Sequence, residues 1–88
     1  MLTKFTGRFS KDLDKLKQAS VKKEILKIIE EVELAPDASA ISNLKKLKGF
    51  ANAFRIRTGD YRAGIFIENN TVEFVRVAHR KDIYNVFP

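Results

Sequence analysis

The sequence contains no cysteine and only one histidine, and each shortage excludes a kind of site. Without thiols there is no disulfide framework and no thiolate metal site. A single histidine rules out a metal site built from several imidazoles of one chain. We therefore expect no metal and no other cofactor. The lack of cysteine is compatible with the reducing cytoplasm, which is where we expect the protein to act.

Long apolar runs are also missing. Residues 1–5 lack the apolar stretch of a secretory signal peptide. No stretch approaches the roughly 20 apolar residues that a membrane-spanning helix needs. We therefore expect no association with a membrane through a spanning segment.

What the sequence does have is positive charge in one half. The 88 residues, 44% of them apolar, predict one folded domain over residues 1–88. The net charge is +6, and residues 45–88 hold nine basic but only four acidic residues. This asymmetry favours an anionic partner such as nucleic acid or an acidic protein segment. The alternative is a solvated basic surface that only promotes solubility.

Apolar spacing predicts a short strand and then two helices in the first half of the chain. Residues 1–5 resemble a strand, and the spacing of Phe9, Leu13 and Leu16 predicts a first helix. A second helix is expected after Ser20 as N-cap. Its apolar stripe consists of Val21, Ile25, Ile28, Ile29 and Val32. Residues 36–42 then form a loop, so the two helices make a hairpin that can cover a sheet.

Three strands are predicted in the second half, over residues 53–58, 61–68 and 71–78. Two-residue turns, Gly59-Asp60 and Asn69-Asn70, separate them, and both contain residue types that tolerate positive φ. The predicted fold is therefore α+β, with an N-terminal strand and a two-helix hairpin packed on an antiparallel sheet.

The first of these turns places three arginines on one face of the sheet. Pairing of Thr58 with Tyr61 puts Arg57 opposite Arg62 and Arg55 opposite Gly64. Like charges opposite each other destabilise a hairpin, whereas guanidinium groups bind phosphate oxygens in pairs. The pattern thus favours an anion-binding site, and the small Gly64 leaves room for a ligand. A charged, solvent-facing surface is the alternative interpretation.

The last strand allows two registers. Without an irregularity, Arg76 would face the core together with Val72 and Phe74, which is costly for an unpaired arginine. A bulge near residues 74–75 would instead turn Val75 and Val77 inward and bring Arg76 and Arg80 to the arginine face. We favour the bulge.

Residues after this strand supply further candidates. His79 precedes an arginine and follows a strand that ends near the cluster, although a lone histidine is more often structural. Tyr84 either packs with its apolar neighbours or offers a ring on which a base can stack. Three lysines, Lys45, Lys46 and Lys48, are expected to point outward from a segment anchored by leucines.

Four segments together resemble the RelE/ParE toxin superfamily. They are residues 45–49 (KKLKG), 54–57 (FRIR), 59–62 (GDYR) and 75–84 (VRVAHRKDIY). The opening, with Phe9, Lys11, Asp12, Leu13 and Leu16, is similar to the first helix of that family. The resemblance covers nearly the whole chain.

The resemblance implies a toxin of a type II toxin–antitoxin pair. Toxins like RelE enter the ribosomal A site of the 30S subunit and cut the mRNA, by attack of a ribose 2′-OH on the adjacent phosphate. By analogy, Arg57 and Arg62 neutralise the scissile phosphate, and Arg80 or His79 serves the leaving oxygen. Tyr84 stacks on or positions the nucleotide. The other expected RNA contacts are Lys45, Lys46, Lys48, Arg55 and Arg76.

One departure concerns the general base. Better-known toxins of this type have lysines where this chain has Arg55 and Arg57, and arginine is a poor base. His79 is the only conventional base among the candidates. Either His79 accepts the proton or the site works by stabilising the phosphate alone.

Two alternatives remain within the same family. A ParE-like toxin shares the fold but poisons DNA gyrase without cutting RNA. A catalytically inactive member would serve as a binding module. In every case the expected partner is a cognate antitoxin that wraps the toxin and covers its basic face.

Overall fold

The structure, a computed structural model, describes residues 1–88. Five strands and three helices follow one another along the chain. They are β1 (Leu2–Phe5), α1 (Gly7–Lys15), α2 (Ala19–Leu34), β2 (Leu44–Lys46), β3 (Ala53–Thr58), β4 (Tyr61–Glu68), β5 (Thr71–His79) and α3 (Ile83–Val86), with a short 3-10 helix at Ala38–Ala40. The predicted α+β fold with its N-terminal strand and helical hairpin is confirmed.

The starts of the two long helices differ. Thr6 caps α1, since its hydroxyl accepts from the Phe9 amide at 3.0 Å and donates to the Val75 carbonyl at 2.8 Å. The start of α1 is thereby fastened to β5. Helix α2 begins at Ala19 after Gln18, which makes no side-chain capping bond. The predicted N-cap at Ser20 is therefore wrong, because the chain is already helical there.

The sheet has the strand order β1-β5-β4-β3-β2. Strand β1 runs parallel to β5, and the other pairs are antiparallel. The predicted turns are present, with positive φ at Gly59, Asn69 and Asn70. Strand β2 was not expected, because three residues ending in two lysines have little strand character of their own.

Both faces of the sheet are covered, but unequally. The larger core lies between the helices and the sheet, and its completely buried side chains include Phe9, Ile25, Val32, Ile56, Ile65 and Phe74. On the other face a smaller cluster joins Leu47 and Ala53 to Ile83 and Phe87, so α3 seals part of that face. A Cβ atom on Gly64 would overlap the Phe87 ring. The space beside Gly64 is therefore filled by protein and is not open to a ligand.

The predicted bulge is present in β5. Gly64 pairs with Arg76 and Ile65 pairs with Phe74, so Val75 is the additional residue. Val77 faces the larger core as predicted, whereas Val75 packs against the smaller cluster on the opposite face. The inward orientation predicted for Val75 is wrong, because the side chain of this additional residue lies on the face of the smaller cluster.

No helix in the chain combines the length and apolar character that crossing a membrane requires.

Candidate functional site

The centre of the site is the arginine pair, Arg57 on β3 and Arg62 on β4. These residues are directly opposite each other in the hairpin register, as the sequence predicts. Strand alternation puts Ile56 and Ala63 in the helix-side core and so directs the arginine pair to the opposite face. Neither member takes part in the two ion pairs of the chain. The pair therefore carries two positive charges that no carboxylate neutralises by contact.

Backbone and amide oxygens hold the arginine pair in place. Arg62 Nη1 donates to the carbonyls of Gly59 and Tyr61, both at 2.9 Å. Arg57 Nη2 lies 3.5 Å from Asn43 Oδ1, and the Arg57 amide donates to the Asn43 carbonyl at 3.1 Å. Asn43 adopts a positive φ of 60°, which places it at this corner. These neutral partners orient the guanidinium groups without cancelling their charge, as anion binding requires.

Two concavities meet at the arginine pair. The β2-side concavity, of about 370 Å³, is lined by Asn43, Leu44, Lys45, Arg55, Arg57, Arg62 and Tyr84. The α2-side concavity, of about 570 Å³, is lined by Glu24, Ile28, Glu31, Ser42, Asn43, Ile56, Arg57, Thr58, Gly59, Arg62 and Arg80. Asn43 and the arginine pair line both, so the pair forms the boundary between two spaces of different chemistry.

A cation–aromatic stack forms the floor of the β2-side concavity. The Arg55 guanidinium carbon lies 4.4 Å from the centre of the Tyr84 ring. Arg55 Nε is buried and has no hydrogen-bond partner, while Tyr84 is 71% exposed. Tyr84 therefore does not pack into the apolar tail. Its ring remains available for stacking next to a strongly cationic surface.

Arg80 joins the site on the α2 side. Its amide donates to the Asp60 carbonyl at 2.7 Å, and its Nε lies 3.7 Å from Asp60 Oδ1. Both side chains are largely exposed, so this contact is weak and solvent-screened. Arg80 lines the same concavity as Arg57 and Arg62. The predicted grouping of these three arginines is thus present.

His79 is not part of this group. It is paired with Tyr61, whose ring packs against the helix-side core, and the two rings meet edge to face at 5.5 Å. His79 Nδ1 accepts from the Lys81 amide at 3.1 Å. The side chain lines neither concavity. The expectation that His79 joins the arginines is wrong, because strand alternation after the bulge turns it to the opposite face.

Arg76 is also separate from the arginine pair. Its Nε donates to Asp12 Oδ2 at 2.7 Å and its Nη2 to Asp12 Oδ1 at 3.2 Å, while the Val77 amide also donates to Oδ2. The hydrogen bond that Arg76 donates to Asp12 raises the pKa of Arg76 above its ordinary value. The prediction that Arg76 is free and lies on the arginine face is wrong, because the Asp12 carboxylate of α1 binds it.

The predicted lysines extend the basic surface along β2. Lys45 lines the β2-side concavity, and Lys46 and Lys48 border an adjoining hollow of about 300 Å³ together with Phe50. All three lysines are exposed. Sequence reasoning missed Phe50, Asn43 and the α2 carboxylates as parts of this surface. Of these, only Asn43 could have been found from the sequence, since asparagine is one of the residue types that favour a positive φ.

Comparisons with known proteins agree with this architecture. Residues 3–84 match the family model described as the ParE toxin of a type II toxin–antitoxin system, parDE. The chain is 42% identical over 85 residues to Toxin RelE3 of Methanocaldococcus jannaschii, with 96% of each chain covered. This chain belongs to the RelE/ParE toxin superfamily, in the RelE-like branch. The high identity to a RelE relative decides the branch, and the toxin is of the type II toxin–antitoxin class.

Solved RelE structures share the fold. The RelB-RelE antitoxin–toxin complex from Methanococcus jannaschii matches with a TM-score of 0.81 at 40% identity, covering 97% of this toxin and 99% of that chain. The toxin–antitoxin complex RelBE2 from Mycobacterium tuberculosis matches with a TM-score of 0.71 at 27% identity, covering 92% of each chain. The sheet order and helical hairpin described above are therefore those of RelE toxins.

Proposed function

We propose that this toxin inhibits translation by cutting mRNA in the ribosomal A site. The observation that carries the proposal is the arginine pair, two guanidinium groups held by neutral oxygens and left without a carboxylate partner. Such a pair fits the charge that develops on a phosphate during attack by the neighbouring 2′-OH. Relatedness to RelE toxins supports the same activity.

The roles of the site residues follow from their positions. Arg57 and Arg62 hold the scissile phosphate at the boundary of the two concavities. Arg80 lies on the α2 side and stabilises the leaving 5′ oxygen. Tyr84 stacks on a base in the β2-side concavity, with Arg55 beneath its ring extending the phosphate contacts.

Further RNA contacts come from the lysines of β2 and the segment that follows it. Lys45, Lys46 and Lys48 are exposed next to the β2-side concavity, where they attract the RNA backbone. Arg76 has no place in this proposal, because it is bound to Asp12.

The proposal includes no general base. His79 lies on the opposite face, and the arginines stay protonated. Catalysis then rests on holding the 2′-OH and the phosphate in line and on neutralising the charge of the transition state. As the O2′–P bond forms and the P–O5′ bond breaks, water accepts the 2′-OH proton and supplies one to the leaving 5′ oxygen. We accordingly expect a slower reaction than a toxin with a lysine at these positions would achieve.

The proposed partner is a cognate antitoxin, and the proposed place of action is the cytoplasm, where ribosomes translate. The solved relatives from M. jannaschii and M. tuberculosis are toxin–antitoxin complexes. An acidic and apolar segment would complement the basic β2-side concavity and the exposed Phe50 and Tyr84. Binding there would block access of mRNA to the arginine pair.

The test is to add the purified toxin to a translating extract and map new mRNA 5′ ends against the reading frame. We expect cuts in the A-site codon, and Arg62→Ala should reduce cutting by about 100-fold or more. Arg8→Ala, at an exposed arginine of α1 outside both concavities, is the matched control. Blocked translation without A-site cuts would refute the proposal, and linearised plasmid with intact translation would indicate gyrase instead.

A further inference from the structure

The turn that connects β5 to α3, the β5–α3 turn, consists of Arg80, Lys81 and Asp82. Each of its backbone amides has an acceptor. The Arg80 amide donates to the Asp60 carbonyl at 2.7 Å, and the Asp82 amide donates to the His79 carbonyl at 2.8 Å. The Lys81 amide, between them, donates to His79 Nδ1 at 3.1 Å. The imidazole of His79 is therefore the one side chain that holds the backbone of this turn.

His79 holds the turn in the way that an asparagine side chain can. Its Nδ1 is bonded to Cγ, as Oδ1 is in asparagine, and it accepts from the amide two residues further along the chain. The same ring meets the Tyr61 ring edge to face at 5.5 Å. The imidazole thus supplies two separate things, an acceptor for the Lys81 amide and an aromatic contact with β4.

The turn places Arg80, whereas α3 is held by other contacts. Ile83 and Phe87 are buried in the smaller cluster, and that packing fixes α3 with Tyr84 on it. The Arg80 side chain is 57% exposed, and its only ion pair, with Asp60 at 3.7 Å, is screened by solvent. The direction of Arg80 into the α2-side concavity therefore depends on the backbone of the β5–α3 turn.

We propose that His79 is a positioning residue, whose Nδ1 holds the β5–α3 turn and thereby directs the Arg80 guanidinium to the space next to the arginine pair. The inference rests on the proposed function, in which Arg80 stabilises the leaving 5′ oxygen. His79 acts from the helix side of the sheet, where its partner Tyr61 packs against the larger core. It has a part in cutting mRNA although it does not contact the RNA.

The expected effect is local. The bond between the Lys81 amide and His79 Nδ1 is exposed, so an amide that loses its acceptor there bonds to water. The net contribution of one such bond changes the population of a local conformation by about fivefold. Loss of the acceptor should therefore loosen the β5–α3 turn and leave the rest of the fold intact.

Two substitutions separate the acceptor from the ring. His79→Asn keeps an acceptor for the Lys81 amide but loses the contact with Tyr61, whereas His79→Phe keeps a ring against Tyr61 and offers no acceptor. The measurement is the initial rate of A-site cutting in a translating extract. We expect the rate to fall about fivefold in His79→Phe and to stay within about twofold of the wild type in His79→Asn.

Urea denaturation of the same two variants shows whether the role is only structural. Loss of the aromatic contact should lower the stability of His79→Asn more than that of His79→Phe, which is the opposite order to the one expected for cutting. In an Arg80→Ala background, His79→Phe should change the remaining cutting by less than about twofold. The reason is that the turn then has no guanidinium to direct.

Amide NMR relaxation of the free toxin tests the turn without RNA. The order parameter of the Lys81 amide should fall from about 0.85 to below about 0.6 in His79→Phe and remain near the wild-type value in His79→Asn. Equal losses of cutting in the two variants, a loss in His79→Asn alone, or an ordered Lys81 in His79→Phe would overturn the inference. A wild-type toxin that makes no A-site cuts would refute the proposed function instead, and the relaxation measurement would still decide whether His79 holds the turn.

Discussion

Arginines at two places in the same sheet have opposite surroundings. Arg76 on β5 is bound by the Asp12 carboxylate of α1, and the two side chains are 18% and 14% exposed. Arg57 and Arg62 on β3 and β4 are oriented by neutral oxygens and open onto two concavities. Between these places Gly64 is paired with Arg55 on one side and Arg76 on the other, under the Phe87 ring.

The difference separates an arginine that is paired within the protein from two arginines that remain available to a ligand. A charge that is paired within the protein contributes to the fold and has little left to offer a ligand. A charge held by neutral groups costs the fold some stability and remains available for an anion. Breaking either arrangement should therefore affect a different property of the toxin.

The largest effect on folding is expected at the paired arginine. Asp12→Asn leaves the Arg76 guanidinium without its counter-charge and weakens the bond to the Val77 amide. We expect the free energy of unfolding, measured by urea denaturation, to fall by about 2 kcal/mol. Asp14→Asn, at an exposed residue of the same helix without a bond to β5, should change it by less than about 0.5 kcal/mol. Equal effects of the two changes would show that the Arg76 contact does not hold α1 to the sheet.

A smaller effect on the free energy of unfolding is expected at Gly64, which lies between Arg76 and the arginine pair. Gly64→Ala puts a methyl group where the Phe87 ring lies, so the tail that follows α3 must shift. The expected loss in the free energy of unfolding is about 1–2 kcal/mol. Near-ultraviolet circular dichroism should change as well, because Phe66 and Phe87 are in contact.

Gly7→Ala is the control for this change, since nothing lies within 4 Å of a Cβ atom there. It should leave both measurements near the wild-type values. A stable Gly64→Ala protein with an unaltered aromatic spectrum would contradict the packing of Phe87 described here.

The smallest effect on the free energy of unfolding is expected at the arginine pair itself. Arg57→Gln removes one of two like charges that face each other across the hairpin. The free energy of unfolding should rise by a few tenths of a kcal/mol, and the gain should shrink at high salt. Lys17→Gln, the same loss of charge outside the sheet, should give a smaller gain. A destabilised Arg57→Gln protein would mean that the Asn43 contacts outweigh the repulsion.

Local patterns were sufficient for much of the site. Alternating apolar residues and the Gly59-Asp60 turn predicted the register that sets Arg57 against Arg62, because a two-residue turn leaves one pairing. The same patterns predicted a bulge in β5, since an unpaired arginine in a core is costly. Tyr84 was a candidate for stacking on a base, and only the structure showed its contact with Arg55.

Two of the errors involve partners that are distant in sequence. Asp12 lies 64 residues from Arg76, so no local pattern connected them. Phe87 returns over Gly64 only because α3 folds onto the outer face. His79 turned away from the arginines because the bulge changes the side of each residue that follows it. The carboxylates of α2 had no predicted part in the site, because only the structure brings this helix beside the end of β3.

The sequence by itself determined the fold class, the hairpin register and the arginine pair. These depend on alternation, helical spacing and turn residues, which act over a few positions and so can be read from the chain alone. Only the tertiary structure decided which charges are neutralised. A charge is neutralised or left free by whichever groups the folding of distant segments brings within a few ångströms, and here that distinction separates Arg76 from Arg57 and Arg62.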